Sequence, residues 1–336
     1  MIIDIHAHLV APPKLYAFRS NLQASGGAHG SESSNINDDE LAECAASNVA
    51  IMDSVGTDVQ LLSARPYQLM HSEQPTQIVR TWVAENNDLI ARTVALHPER
   101  FRGVAALPQS PTEPPERWLD ELDASTPERG FVGILLNPDP HEGSGPSPTL
   151  DNEYWYPVYE RAQQLGLPLQ IHSAACKNGR ETYSEHFITE ESITVLALAK
   201  SRVFLDFPDL KVIVSHGGGS VPYQAGRWIA ARHHPRLGGA AAIDETFLAS
   251  LRRLYFDTVL HWPASLDLLF KTVGTDRCLF GTEKPGSGTA VNPDTGRDFD
   301  DLKPVIEQIE WLTDTDREAI FEHNARTVFA GLPEGR

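Results

Sequence analysis

Eight short apolar, β-rich runs separated by helix-like segments predict an α/β fold: a (β/α)8 TIM barrel with insertions after strands 1 and 8. The strict alternation of strand and helix implies parallel strands joined by helical crossovers. The chain's 336 residues accommodate eight such units. A doubly wound open sheet is the rival, but no Gly-x-Gly-x-x-Gly follows the first strand, which weakens a dinucleotide-binding version.

In chain order, strand 1 is read at residues 2–6, inside an apolar run that starts at the second residue. A helix follows at 39–55, opening with acidic residues and carrying apolar positions at helical spacing. Strand 2 spans 59–63, and the longest helical segment spans 75–96. Strands 3 and 4 span 101–107 and 131–136. The helix at 152–165 contains Tyr154, Trp155, Val158 and Tyr159 and ends at Gly166. Strand 5 at 167–172, a helix at 190–202, strand 6 at 211–215 and a helix at 221–232 come next. Strand 7 at 254–257, a helix at 264–273, strand 8 at 278–281 and helices at 300–309 and 314–329 complete the pattern. The Pro/Gly-rich stretch 137–148 reads as a loop within one domain covering residues 1–336. The insertions, 11–38 and 284–299, fall where a barrel's catalytic mouth forms, so they read as lids or substrate walls. Plain surface decoration is the alternative.

Composition narrows the function classes. A formal net charge of −18 argues against nucleic acid and anionic membranes as partners, yet leaves room for a small anionic substrate met by a local cation cluster. Three cysteines, Cys44, Cys176 and Cys278, cannot form a fully paired framework and lack metal-type spacing, so reduced thiols in a cytoplasmic protein are the simplest reading. No secretory signal and no run of ~20 apolar residues is evident.

The chemistry starts from Asp4-Ile5-His6-Ala7-His8. Strand side chains repeat every two residues, so His6 and His8 point to the same side. A bare His-x-His is more often not a ligand pair, but later strands end on matching groups. Strand 5 ends at His172, strand 6 at His216 before Gly217-Gly218-Gly219, and strand 8 at Glu283. Singly, His172 reads equally well as a core histidine, His216 as a turn residue and Glu283 as a solvent partner of Lys284. Jointly, at the ends of barrel strands, they surround one point. Nitrogen and carboxylate donors suit Zn2+, with other divalent transition metals as contenders. An open position on such a metal activates water.

These motifs resemble the amidohydrolase superfamily, in the branch that holds 2-amino-3-carboxymuconate-6-semialdehyde decarboxylase, γ-resorcylate decarboxylase and 4-oxalomesaconate hydratase. Asp-x-His-x-His, the strand-five His, the strand-six His-Gly-Gly and the strand-eight acid carry the match. Most of the branch has Asp at the last position; Glu283 resembles the hydratases. Ser63-Ala64-Arg65, Leu136-Asn137-Pro138-Asp139-Pro140 and Asn292-Pro293-Asp294-Thr295-Gly296 extend that likeness over nearly the whole chain. Thr282-Glu283-Lys284-Pro285, the segment 173–183 and the 11–38 insertion depart from it.

The resemblance implies a zinc-dependent hydro-lyase of aromatic-acid catabolism that adds water to the C=C bond of a 4-oxalomesaconate-like keto acid. It implies His6, His8, His172 and Glu283 as metal ligands and a homo-oligomer. Glu283 is also the expected proton acceptor, His216 a general acid or substrate-orienting group, and Asp257 an orienting group in the proton-transfer network. A substrate with several carboxylates calls for cations, and Arg65, Arg227, Lys284 and Arg297 are the candidates, each with a solvated surface cation as its alternative. Tyr183 and His261 are expected hydrogen-bond donors at the rim. The competing functions are a nonoxidative decarboxylase with the same metal cage, amide or lactone hydrolysis by metal hydroxide, and a nonenzymatic binding protein.

Overall fold

A parallel eight-stranded sheet runs in the order β1 to β8, each strand pairing with the next in sequence. The computed structural model describes residues 1–27, 33–125, 127–236 and 244–334. The strands are β1 Ile3–His8, β2 Val59–Ser63, β3 Phe101–Ala106, β4 Phe131–Leu136, β5 Leu169–Ile171, β6 Val212–Val214, β7 Tyr255–Asp257 and β8 Cys278–Leu279. Hydrogen bonds from Ile5 N to Phe280 O (2.9 Å) and from Glu283 N to His6 O (2.7 Å) bring the last strand back to the first, so the sheet curls into the expected barrel. Helices lie between the strands, and the apolar strand residues Ile3, Ile5, Val59, Leu61, Val104 and Ile213 pack into one buried cluster.

β1 carries a feature that strict alternation misses. Ile3 and Asp4 oppose Val59 and Gln60, but Ala7 and His8 oppose Leu62 and Ser63, so β1 holds one extra residue, a bulge. Asp4 shares Gln60's side, where Gln60 donates to Asp4 and receives from Asn48 of the helix that precedes β2. His8 lies on Ser63's side, the opposite pleat face from Gln60. Without the bulge the two histidines would sit on the face of Asp4; with it they turn into the barrel mouth.

Some element boundaries differ from expectation. The first insertion is not a plain loop: it holds α1 (Lys14–Ser25), which buries Leu15, Phe18 and Leu22 at helical spacing against the cluster containing Trp82. Part of that insertion, 28–32, lies outside the described residues. The helices α2 (Asp38–Val55) and α3 (Gln77–Leu96) match closely. A short α4 (Leu119–Ala124), too brief to show a periodic pattern, follows β3. After α5 (Tyr156–Leu165), the helix expected at 190–202 begins seven residues earlier, as α6 (Tyr183–Lys200). Its polar first turn conceals its start, which Thr182 and Glu185 fix through a reciprocal capping box. No helix among the described residues is long and apolar enough to cross a membrane.

Candidate metal centre

The C-terminal ends of β1, β5, β6 and β8 deliver four imidazoles and one carboxylate to a single point. Ring centroids of His6 lie 5.1 Å from His8, 5.0 Å from His172 and 5.4 Å from His216, and His172 lies 4.8 Å from His216. Ligand atoms of His6, His172, His216 and Glu283 are all within 4.8 Å of one another. His8 joins them through Nε2, 3.4 Å from Glu283 Oε1.

Every imidazole is held by its Nδ1. That of His6 meets Asp257 Oδ2 at 2.7 Å, that of His8 meets Ser63 Oγ at 2.9 Å, and that of His172 donates to the Ser173 carbonyl at 2.7 Å. His216 Nδ1 faces both oxygens of Glu191, at 2.9 and 3.0 Å. This leaves the Nε2 atoms for the centre, and those of His6 and His172 are buried with no protein partner. A buried polar atom without a partner costs about 1–3 kcal/mol. Two of them, facing each other beside a carboxylate and each backed by a fixed Nδ1, fit a divalent cation; the acceptors behind them are the usual outer support of metal-binding histidines.

The electrostatics agree with this fit. Burial pushes His172 well below the ordinary imidazole value, and His216 and His6 nearby push the same way. Burial likewise takes His8 down to about 4, against the opposing hydrogen bond to Glu283. Both are therefore neutral, the form that ligates. Burial works to raise Glu283, but the hydrogen bond to His8 and the imidazoles crowded around the carboxylate outweigh it and hold the carboxyl ionised. His216 goes the other way: burial disfavours its charge, and the adjacent Glu191 more than restores it.

The backbone here is strained. His216, His261 and Glu283 have φ of 48°, 52° and 62°, in the left-handed region that costs non-glycine residues of order 1 kcal/mol each. The loop after His216 also passes so close to β7 that a Cβ on Gly218 (φ 80°) would sit 2.6 Å from the Phe256 ring.

A cavity of about 620 Å³ opens above the cluster, lined by the polar Arg65, His261, Glu283, Ser287 and Thr289 and by the aromatic and aliphatic Tyr67, Tyr183, Phe187, Ile188 and Leu260. Tyr67 and Tyr183 stack at its rim, centroids 5.3 Å apart. Of the residues nominated from the sequence, His8, His216, Glu283, Arg65, Tyr183 and His261 line it. Asp257 sits beneath His6, where it also accepts from the Gly217 and Val259 amides, so all its bonding goes to holding others in place.

Three nominated cations are not brought to this cavity. Lys284 is buried and its ammonium is held by Asp298 (2.6 Å) and Asp300 (2.7 Å), because a desolvated charge needs close partners. Arg297 pairs with Asp301 farther along the same loop, and Arg227 points outward from the helix Ala225–His233. Among the described residues, Arg65 is the one of the four nominated cations that lines the cavity. Glu191, Ser63, Tyr67 and Ser287 were not nominated. Glu191 was detectable in principle: it falls in the buried stripe of α6 with Phe187, Thr194, Val195 and Leu198, where a carboxylate is out of place unless paired.

A family model for amidohydrolases matches residues 3–331. The chain belongs to the amidohydrolase family. Within that family it is 34% identical to a 2-keto-4-carboxy-3-hexenedioate hydratase of Sphingobium sp. (strain NBRC 103272 / SYK-6), over 99% of this chain and 97% of the relative. The crystal structure of a 4-oxalomesaconate hydratase from Rhodopseudomonas palustris superposes with a TM-score of 0.86 and 33% identity, covering 98% of this chain and 95% of that one. A γ-resorcylate decarboxylase of Polaromonas sp. (strain JS666 / ATCC BAA-500) is 28% identical over 84% of this chain and 86% of its own length. The amidohydrolase fold thus accounts for the barrel, and the buried His/Glu cluster lies at the mouth where barrel enzymes carry their chemistry.

Proposed function

We propose that this amidohydrolase is a metal-dependent hydro-lyase that adds water across the C=C bond of an unsaturated keto acid bearing several carboxylates, of the 4-oxalomesaconate type. The observation that carries the reading is its end-to-end similarity to hydratases, at 34% identity over 99% of the chain. The chemistry of the centre supports it. His6, His8, His172 and Glu283 are the proposed ligands, and the nitrogen-rich donor set favours Zn2+. Bound there, the ion supplies Lewis acidity, acidifying water to a pKa of about 7 and polarising substrate oxygens.

The protein groups account for the rest. Hydration puts a hydroxyl on one alkene carbon and a proton on its neighbour. Glu283, ionised and facing the cavity, takes the proton that water gives up. His216, hydrogen-bonded to Glu191 and lining the cavity, is the group placed to give a proton on the substrate side. Arg65 pairs with a substrate carboxylate, and its planar fork suits two parallel hydrogen bonds. Asp257 positions His6 through the bond to its Nδ1.

Decarboxylation is the second reading, favoured by the 28% identity to γ-resorcylate decarboxylase. Purified protein incubated with 4-oxalomesaconate should consume the conjugated alkene and yield a tertiary alcohol without releasing carbon dioxide. Carbon dioxide release without hydration, from that acid or from a hydroxybenzoate, would replace the hydratase reading with the decarboxylase one.

A further inference from the structure

We propose that Ser287 is a positioning residue that decides which oxygen of Glu283 faces the histidine cluster. The proposal rests on the metal-site reading above and adds a role for the eighth loop. A glutamate carboxylate turns about its last bond in a broad, roughly two-fold well, so its two oxygens are interchangeable unless something distinguishes them. Here they are distinguished. Oε1 lies 3.4 Å from His8 Nε2, while Oε2 accepts a hydrogen bond from Ser287 Oγ at 2.9 Å. Because an ionised carboxylate only accepts, the single hydroxyl proton of Ser287 is committed to Oε2.

The turn that carries Ser287 is built to hold it there. Gly286 folds directly over Glu283: a Cβ at 286 would lie 2.1 Å from the Glu283 carbonyl oxygen and 3.0 Å from its Cγ. Thr289 N donates to Gly286 O (3.1 Å), Gly286 N donates to Thr289 Oγ1 (3.0 Å), and Thr289 Oγ1 donates to Asp300. Asp300 is in turn anchored by the buried Lys284 ammonium at 2.7 Å. The ion pair that withdraws Lys284 from the cavity thereby braces the turn. Glu283 itself starts from a left-handed backbone (φ 62°) tied to His6 O. The whole arrangement leaves one carboxylate oxygen for a cation at the cluster and keeps the other on the cavity side, so that Glu283 ligates through a single oxygen and retains a basic one. Without the serine bond both oxygens can turn onto the same cation, and the basic one is lost.

The test uses Ser287→Ala and Ser287→Thr in full-length protein loaded with Co2+, whose visible absorption reports ligand number and geometry. Ser287→Ala should bind Co2+ at the wild-type stoichiometry with a changed visible spectrum, and Ser287→Thr, which keeps the hydroxyl, should restore the wild-type spectrum. In hydration assays the alanine variant should lose about 10- to 150-fold in kcat, the cost of one hydrogen bond to a charged group, with KM changed less than about twofold. An unchanged cobalt spectrum in Ser287→Ala overturns the proposal, as does failure of that variant or of the wild type to hold cobalt. The spectral comparison stands whichever reaction the enzyme runs, so a wild type that decarboxylates refutes the hydratase reading and leaves the role of Ser287 to the spectrum.

Discussion

Replacing His186 with asparagine should destabilise the protein at low pH and much less at high pH. His186 is buried at the start of α6, with Nδ1 2.9 Å from Glu181 Oε1 and Nε2 3.1 Å from Asp139 Oδ2. Burial opposes its charge, but the two carboxylates more than offset that and lift its pKa from 6.5 to about 9. A group whose folded value is raised contributes stability that is complete below its unfolded pKa and disappears as pH rises through the folded one. The gap between the two values corresponds to about 3 kcal/mol. The loss in the variant is tempered because Asp139 keeps bonds from the Gly143 and His141 amides and from Ser147. Glu190, on the next turn, is pushed up to about 7 by burial and by Asp139, so it titrates in the same range and only the difference between the two proteins is informative. Urea unfolding of both, carrying the same metal, should give a difference of about 2–3 kcal/mol near pH ~6 that falls below about 1 kcal/mol by pH ~9.5. A difference that stays constant across this range would refute the claim that His186 is a buried imidazolium. The consequence for the site is direct, because the next residue, Phe187, packs on His172 and His216 and Glu191 lies one turn farther along.

Three more outcomes are expected. Arg65→Gln should raise KM about 10- to 100-fold with kcat little changed, since a carboxylate is bound alike in ground and transition states; an unaltered KM removes Arg65 from substrate recognition. Stripping the metal with a chelator should abolish activity and lower the thermal midpoint, and added Zn2+ should restore both; full activity in protein proved metal-free by elemental analysis contradicts the proposed chemistry. Gly286→Ala forces its new methyl group into the Glu283 carbonyl, so it should cut metal content and lower kcat at least ~10-fold while the circular dichroism of the barrel stays intact. Wild-type metal content in that variant would mean the turn yields easily.

Much of the site was legible because its chemistry is repeated locally. His6, His8, His172, His216 and Glu283 each sit at or just beyond the end of a strand, and apolar runs of β-rich residues mark strand ends well. The supporting groups were less legible. Ser63 and Ser173 are ordinary residues whose only distinction is the imidazole they face. The cations divided by environment: Arg65 and Lys284 look equivalent as letters, yet one lines the cavity and the other is neutralised by two aspartates brought in by a returning loop.

What the sequence determined by itself is what depends on short-range periodicity: eight strands, the longer helices between them, their parallel order, and the histidines and glutamate at strand ends. Tertiary structure decided what depends on contacts between distant segments. The β1 bulge turned His6 and His8 away from Asp4, α6 supplied Glu191 to His216, and the eighth loop doubled back to set Ser287 on Glu283. Strand and helix patterns follow from backbone geometry repeated every two or 3.6 residues. The partner of a buried charge follows from which chain segments the closed barrel brings within about 3 Å of it, and no local pattern encodes that distance.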